Sequence, residues 1–287
     1  MLELTAVDRL TKDLKTAART LSDDEARFLV DAYYTSQENR KRSNNQVRSL
    51  KESGEPNAVL GWFATQAETI EAQILVALIK YTAEHPIGSW LCEIHGVGAV
   101  LASGLVAHID IKKVKTVGAI WRFAGLDPTS KWLKGQKRPW NASLKVLCWK
   151  IGHSFALMHK NPKCVYGHVY KERKEFEIAR NERGDNKELA LSLAPKFGKD
   201  TECYGHLMAG KLPPAQLDAR ARRYAVKLML SDLFAFWYRH EFGVEPPLPY
   251  PIAILGHAHH VVHKGYRPHE DRELLKKKNG NLPTHSG

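Results

Sequence analysis

The pattern of apolar and polar positions predicts helices almost throughout. The first long helix starts at Ser22-Asp23-Asp24-Glu25, a capping box in which the serine hydroxyl and the glutamate satisfy each other's free backbone amides. Phe28, Leu29, Ala32 and Tyr33 then form one apolar stripe, but Gln37 to Arg48 is almost wholly polar before Gly54 and Pro56 end the helix. That polar half is therefore expected to be solvated or to face polar partners. A second helix over about Asn57 to His85 carries Trp62, Phe63, Ile70, Ile74, Leu75, Leu78 and Ile79 at helical spacing, and Pro86 stops it.

Shorter helices joined by glycine turns are expected from Ile87 to Lys160, with no sustained alternation that would make a sheet. A charged helix follows over Val165 to Arg183, where Lys171, Arg173, Glu175 and Glu177 fall at spacings that pair opposite charges. The strongest helix runs from about Ala215 to Phe242. Leu217, Ala221, Tyr224, Leu228 and Phe234 mark its apolar face, and Arg220, Arg222, Arg223 and Lys227 its basic one.

The expected fold is all-α: a long helical hairpin over 1–86, a helical domain containing a helix-hairpin-helix element over 87–250, and a His-rich, basic, disordered tail over 251–287. The tail carries His257, His259, His260 and His263, which could chelate a metal or, when protonated, meet phosphate.

Charge narrows the function. The 287 residues carry a formal net charge of +12, which calls for a polyanionic partner. Placement matters more than the sum. From Lys112 to Lys150 ten cationic residues face one acid, Asp127. No apolar run approaches the roughly 18 to 20 residues that span a bilayer, which sets a membrane role aside. Four scattered cysteines and no apolar leader point to the cytoplasm, in a bacterial cell the nucleoid region.

The candidate chemistry lies beside that block. Ile94-His95-Gly96-Val97-Gly98-Ala99-Val100 has the form of a helix-hairpin-helix turn. Its two glycines permit a tight bend, and the free amides of the following helix can meet a phosphate. Gly96, Val97 and Gly98, with Lys112, Lys113, Lys131, Lys134, Lys137, Arg138 and Lys145, form the expected contact with sugar-phosphate backbone. Of the tryptophans among these cations, Trp132 and Trp140 stand in a loop with Gly135 and Pro139 and are the expected base contacts. Trp121 and Trp149 are expected in the core.

Cys164 with His168, and Cys203 with His206, have spacings that could hold zinc, although not those of a known finger; buried thiols and surface imidazoles are the other reading. No paired carboxylates, nucleophile elbow or phosphate-binding loop is present, and a block with one carboxylate does not suit two-metal nuclease chemistry.

Three segments taken together, Cys92 to Val106, Trp121-Arg122-Phe123-Ala124-Gly125-Leu126-Asp127-Pro128, and Arg220 to Leu228, resemble in order and spacing the C-terminal half of the RNA-guided serine transposases of bacterial insertion sequences. The resemblance covers Gln73 to Phe242. It implies a nucleic-acid scaffold from a mobile element or phage, with DNA the expected partner ahead of RNA. Two departures qualify it: the family's RNase-H-like domain is not in this chain, and Lys134 precedes Gly135 where the family places its catalytic serine. A lysine cannot form the family's covalent phosphoserine intermediate. The expectation is thus a non-catalytic binder that needs no cofactor. One alternative is an active transposase, drawing on Ser130 or Thr129, magnesium and a guide RNA or partner nuclease. Another is a protein-interaction factor that dimerises through its N-terminal helices.

Overall fold

The computed structural model describes residues 7–54 and 58–247. Among them are eleven α-helices and no strand, as the sequence pattern requires. No helix of the described residues is long and apolar enough to cross a membrane. The histidines of the tail lie outside the described residues. The chain forms two compact units that divide after Asp110.

In the first unit, α1 (Lys12–Ala17) precedes the long pair α2 (Asp23–Glu52) and α3 (Ala58–Glu84). The capping box forms as expected: the Ser22 N–H donates to Glu25 Oε2 at 2.8 Å, and the Glu25 N–H donates back to Ser22 Oγ at 3.3 Å. Only Ala26 and Val30 of α2 are buried. Beyond them the pairing with α3 is polar. Arg40 Nε donates to Glu71 Oε2 at 2.5 Å, Gln37 donates to Glu71 Oε1 at 3.4 Å, and Asn44 donates to Glu68 at 2.9 Å. The polar stretch Gln37 to Arg48 therefore has polar partners on α3.

The apolar stripe of α3 is only partly used. Leu78 is buried, whereas Phe63, Ile70 and Ile79, read as part of the same helical stripe, are exposed. Phe28 of α2 is exposed as well. Helix α3 is apolar around much of its circumference, and the neighbours α2, α4 and α5 cover only part of it.

Helices α4 (Pro86–Glu93) and α5 (Ala99–His108) follow. His85 caps α4, its Nδ1 accepting from the Ile87 and Gly88 amides at 3.2 and 3.4 Å. Small residues allow close packing here. A Cβ on Gly88 would lie 2.9 Å from the Thr82 carbonyl oxygen. The buried Ala102, Ser103 and Gly104 bring α5 against α2 and α3.

The second unit is built around α11 (Pro214–Phe242), which packs on α6 (Val117–Phe123), α7 (Ala142–Leu157) and α8 (Val165–Glu182). Proline at its first position and Gly243 after its last, at φ +70°, set its ends. Ala221, Ala225, Met229, Leu230 and Leu233 of α11 join Leu144, Ile151 and Phe155 of α7 in the core. A smaller cluster of Ala190, Ala194, Leu207, Leu212 and Leu217 ties α9 (Lys187–Leu193) and α10 (Glu202–Met208) to the start of α11.

Several buried polar groups in this unit are paired. The Tyr166 hydroxyl donates to Asp232 at 2.7 Å, and Glu177 accepts from both Arg173 and Arg220. The charged face of α8 forms two of the expected opposite-charge pairs, Lys171 with Glu175 at 4.0 Å and Arg173 with Glu177.

Candidate nucleic-acid interface

A grouping of cationic and aromatic side chains lies within the second unit, between α7 and α11. Helix α7 places Lys145, Trp149 and His153 four residues apart, so all three occupy one face. Helix α11 answers with Asp218, Ala219, Arg222, Arg223 and Val226, again at helical spacing. Lys145 and Trp149 of α7, these α11 residues, Gly125 and Leu126 line an open cavity of about 380 Å³.

Two glycines fix its shape. A Cβ on Gly152 would sit 3.1 Å from Arg222 Cβ and 3.2 Å from Val226 Cγ2, so glycine lets α7 approach α11 closely here. Gly125 has φ +65°, and a side chain there would meet Lys145 Cδ at 2.8 Å and Trp140 Cγ at 2.9 Å. Lys145 can therefore lay its stem against Trp140, with Nζ 4.0 Å from the ring centroid.

Trp149 is 61% exposed. Its ring lies parallel to that of His153, with centroids 5.5 Å apart and 1° between the planes. The imidazole thus flanks the indole in parallel orientation. His153 Nδ1 in turn lies 3.3 Å from Arg222 Nη1. Trp149 had been expected in the core; it turns outward because the inner face of α7 is already filled by Leu144, Leu147, Cys148, Ile151 and Phe155. Trp121 is half-buried, its indole N–H donating to the Lys227 carbonyl at 3.1 Å and its ring 4.1 Å from Lys227 Nζ.

The cavity has one carboxylate, and it is already engaged. Asp218 binds Arg222 Nη2 at 2.6 Å and Lys174 Nζ at 3.0 Å, and accepts from the Tyr170 hydroxyl. Burial pushes its pKa up, but these three partners together hold it below the usual carboxylate range. Among the described residues, Lys145 and Arg223 have no carboxylate partner. The Lys145 ammonium is held below the ordinary lysine value by burial and by the positive charges of Arg223 and Arg138. Arg223 is lowered by burial and by Arg220. Arg222 Nε is buried with no hydrogen-bond partner among the described residues.

The loop between α6 and α7 carries the other expected contacts. Lys131, Trp132, Lys134, Lys137 and Arg138 are exposed. Arg138 covers Trp132, its guanidinium carbon 4.5 Å from the ring centroid, and the Trp132 indole N–H donates to the Gln136 carbonyl at 2.7 Å. Thr129 and Ser130 are bound into a turn. The Thr129 amide and hydroxyl donate to Asp127 Oδ1 at 2.9 and 2.7 Å, and the Ser130 hydroxyl lies 3.4 Å from Asp127 Oδ2. Lys112 and Lys113 are exposed on the short turn Ile111–Lys113, and Lys112 pairs with Glu241 at 3.0 Å. Arg122 pairs with Asp127 at 3.4 Å. Part of the block is thus neutralised internally.

The glycine turn belongs to the first unit. Gly96 takes φ +102°, and Gly98 is the N-cap of α5, exposed and without a side-chain cap. Val97 between them is buried and anchors the turn, its N–H donating to the Ile94 carbonyl at 2.9 Å. The glycines are not sealed in the interior, so the first amides of α5 remain available to an anion.

The two Cys and His pairs do not assemble into a metal centre: among the described residues no three or more His, Cys, Asp and Glu side chains are grouped to hold an ion. Cys164 is buried at the start of α8 against the Gly167 backbone, and burial raises its pKa. His168 lies one turn further along α8. Cys203 packs on the leucine and alanine cluster, and His206 lies 3.7 Å from Glu202.

Sequence reasoning thus placed Lys145 and Trp140 at this site, read Arg222 and Arg223 only as a basic helix face, and passed over Gly152. The repeating four-residue interval of Lys145, Trp149 and His153 was the available signal. Compared with protein-family models, with curated proteins and with solved structures, the chain matches none of them.

Proposed function

We propose that this chain is a non-catalytic nucleic-acid-binding protein of a mobile element or phage, gripping sugar-phosphate backbone at the cationic cleft between α7 and α11. The observation that carries the reading is the pair Lys145 and Arg223. Two cations share one open cavity, Arg223 lowering the proton affinity of Lys145, while its single carboxylate is already committed to Arg222 and Lys174. Such an arrangement costs folding free energy unless an anion enters, and phosphate supplies that charge. The exposed cations of the Lys131 to Arg138 loop extend the basic surface. The uncapped start of α5 offers a backbone contact of its own kind. The resemblance of Trp121 to Pro128 and of Arg220 to Leu228 to transposase segments accords with this, since both line or border the cleft.

The test is binding of labelled double-stranded DNA, single-stranded DNA and RNA across a salt series. Affinity falls linearly on a log-log plot, and Lys145→Met with Arg223→Met makes the slope shallower by about 0.7 to 0.9 for each cation lost. A salt-independent affinity, or a slope unmoved by these changes, overturns the proposal. Magnesium-dependent nicking abolished by Ser130→Ala would instead establish the enzymatic reading.

A second reading concerns the first unit, which we infer to pair with another copy of the chain. Val59, Phe63 and Ile70 of α3 form an exposed apolar stripe. Phe63→Asp converts a dimer to a monomer in light scattering; a chain that is monomeric before the change contradicts this.

A further inference from the structure

We infer that the cleft between α7 and α11 holds a single unpaired nucleotide, its phosphate at Lys145 and Arg223 and its base stacked on the exposed ring of Trp149. The inference rests on the nucleic-acid reading above and names the form of nucleic acid that the site takes.

The first ground is the state of Trp149. An apolar ring this large is exposed at a cost unless a partner covers it. Here the ring is also held: His153 lies parallel beside it at 5.5 Å, and the His153 imidazole is itself braced by the guanidinium of Arg222 at 3.3 Å, which is fixed by Asp218 at 2.6 Å. The indole is flanked by the imidazole on one side and is 61% exposed, leaving ring surface open to a partner. A held aromatic plate with open ring surface is a stacking platform, and any nucleobase has a face to lay on it.

The second ground is spacing. Lys145 lies one turn before Trp149 on the same face of α7, about 6 Å along the helix. That separation is comparable to the reach from a nucleotide's phosphate to its own base. Arg223 stands across the cavity on α11, close enough to Lys145 for its charge to act there. Phosphate and base contacts therefore fall at two ends of one cavity.

The third ground is size. A cavity of about 380 Å³ is within the range of roughly 300 to 1,000 Å³ typical of small-ligand sites, and too small for a duplex. A paired base has both faces covered by its neighbours, so only a nucleotide from a single strand, a bulge or an end can offer one to Trp149.

The test uses the full chain and labelled duplexes of equal length: one fully paired, one with a single extrahelical nucleotide, and one with that nucleotide abasic, so that its phosphate remains and its base is gone. DNA and RNA versions decide the sugar. The intact bulge binds about tenfold more tightly than the abasic one, the scale of one base-aromatic stack. Trp149→Ala abolishes that ratio, and Trp149→Phe retains most of it. Circular dichroism verifies that both variants keep their helix content. Equal affinity for intact and abasic bulges, with salt-dependent binding preserved, overturns this inference and leaves the backbone reading standing. No salt-dependent binding of any probe overturns both.

Discussion

Gly152 of α7 faces Arg222 of α11 so closely that an added methyl group would lie 3.1 Å from the arginine Cβ. The two helices meet at this point. A larger residue must push α11 away or force Arg222 and Val226 from their rotamers. Gly152→Val is therefore expected to destabilise the protein by about 1 to 3 kcal/mol, although glycine is the poorer helix former. Urea unfolding followed by circular dichroism measures this, and a variant as stable as the parent would show that the contact is not tight.

Charge neutralisation in the cleft is expected to separate stability from binding. Lys145→Met keeps an unbranched stem against Trp140 while removing a cation that Arg223 and Arg138 oppose. A lysine whose pKa is depressed in the folded state disfavours folding while it is charged, and this penalty fades as pH rises through the folded pKa. The variant is thus at least as stable as the parent at neutral pH in thermal melts, yet binds nucleic acid more weakly. Weaker folding together with unchanged binding would contradict the assigned role of Lys145.

The long hairpin of the first unit carries a pH dependence of the same sign, but in the acid range. Burial pushes the Glu71 carboxyl up, but Arg40, Gln37 and Tyr33 outweigh it and hold the pKa below the usual value. A depressed carboxylate stabilises the fold above its unfolded pKa, near 4.3, and loses that contribution as pH falls through the folded one. Arg40→Ala is expected to cost about 2 kcal/mol at neutral pH, less at pH 3. Equal costs at both values would remove Glu71 from the account.

Thiol chemistry distinguishes the four cysteines. Burial pushes Cys148 up to about 12, and Cys164 is also buried and raised. Cys92 is exposed and Cys203 half-buried. In the native protein a chromogenic disulfide reagent at pH 8 is expected to titrate Cys92 and Cys203, with Cys148 and Cys164 reacting only after denaturation. A strong chelator leaves the melting temperature unchanged, since Cys164, His168, Cys203 and His206 do not converge. A drop on chelation would restore a zinc centre.

How much of this was legible in advance differs by scale. Elements with local punctuation were readable: the box at Ser22 and Glu25 and the stop before Pro86 both follow from neighbours in sequence. The glycine turn at Gly96 and Gly98 was readable for the same reason. The cleft was not, because its walls are about 70 residues apart in the chain and come together only in the folded structure, with Gly152 at their close approach. Trp149 shows the difficulty in one residue. Periodicity reveals that it shares a face with Lys145 and His153, but not whether that face is packed over, and the apolar residues of α7 outnumber the inward positions available. The same surplus on α3 left Phe63 and Ile70 outside.

The polar pairing of α2 with α3 grades the stability of the first unit along its length. Past Val30, side-chain contacts such as those of Arg40 and Asn44 replace buried hydrocarbon, so opening the far end exposes little apolar surface to water. Amide protons near residues 43 to 54 should then exchange with solvent through small local fluctuations, while those around Leu78 and Leu105 wait for the whole unit to unfold. The projecting end of the hairpin can thereby reshape itself against whatever it meets without loosening the base from which it extends.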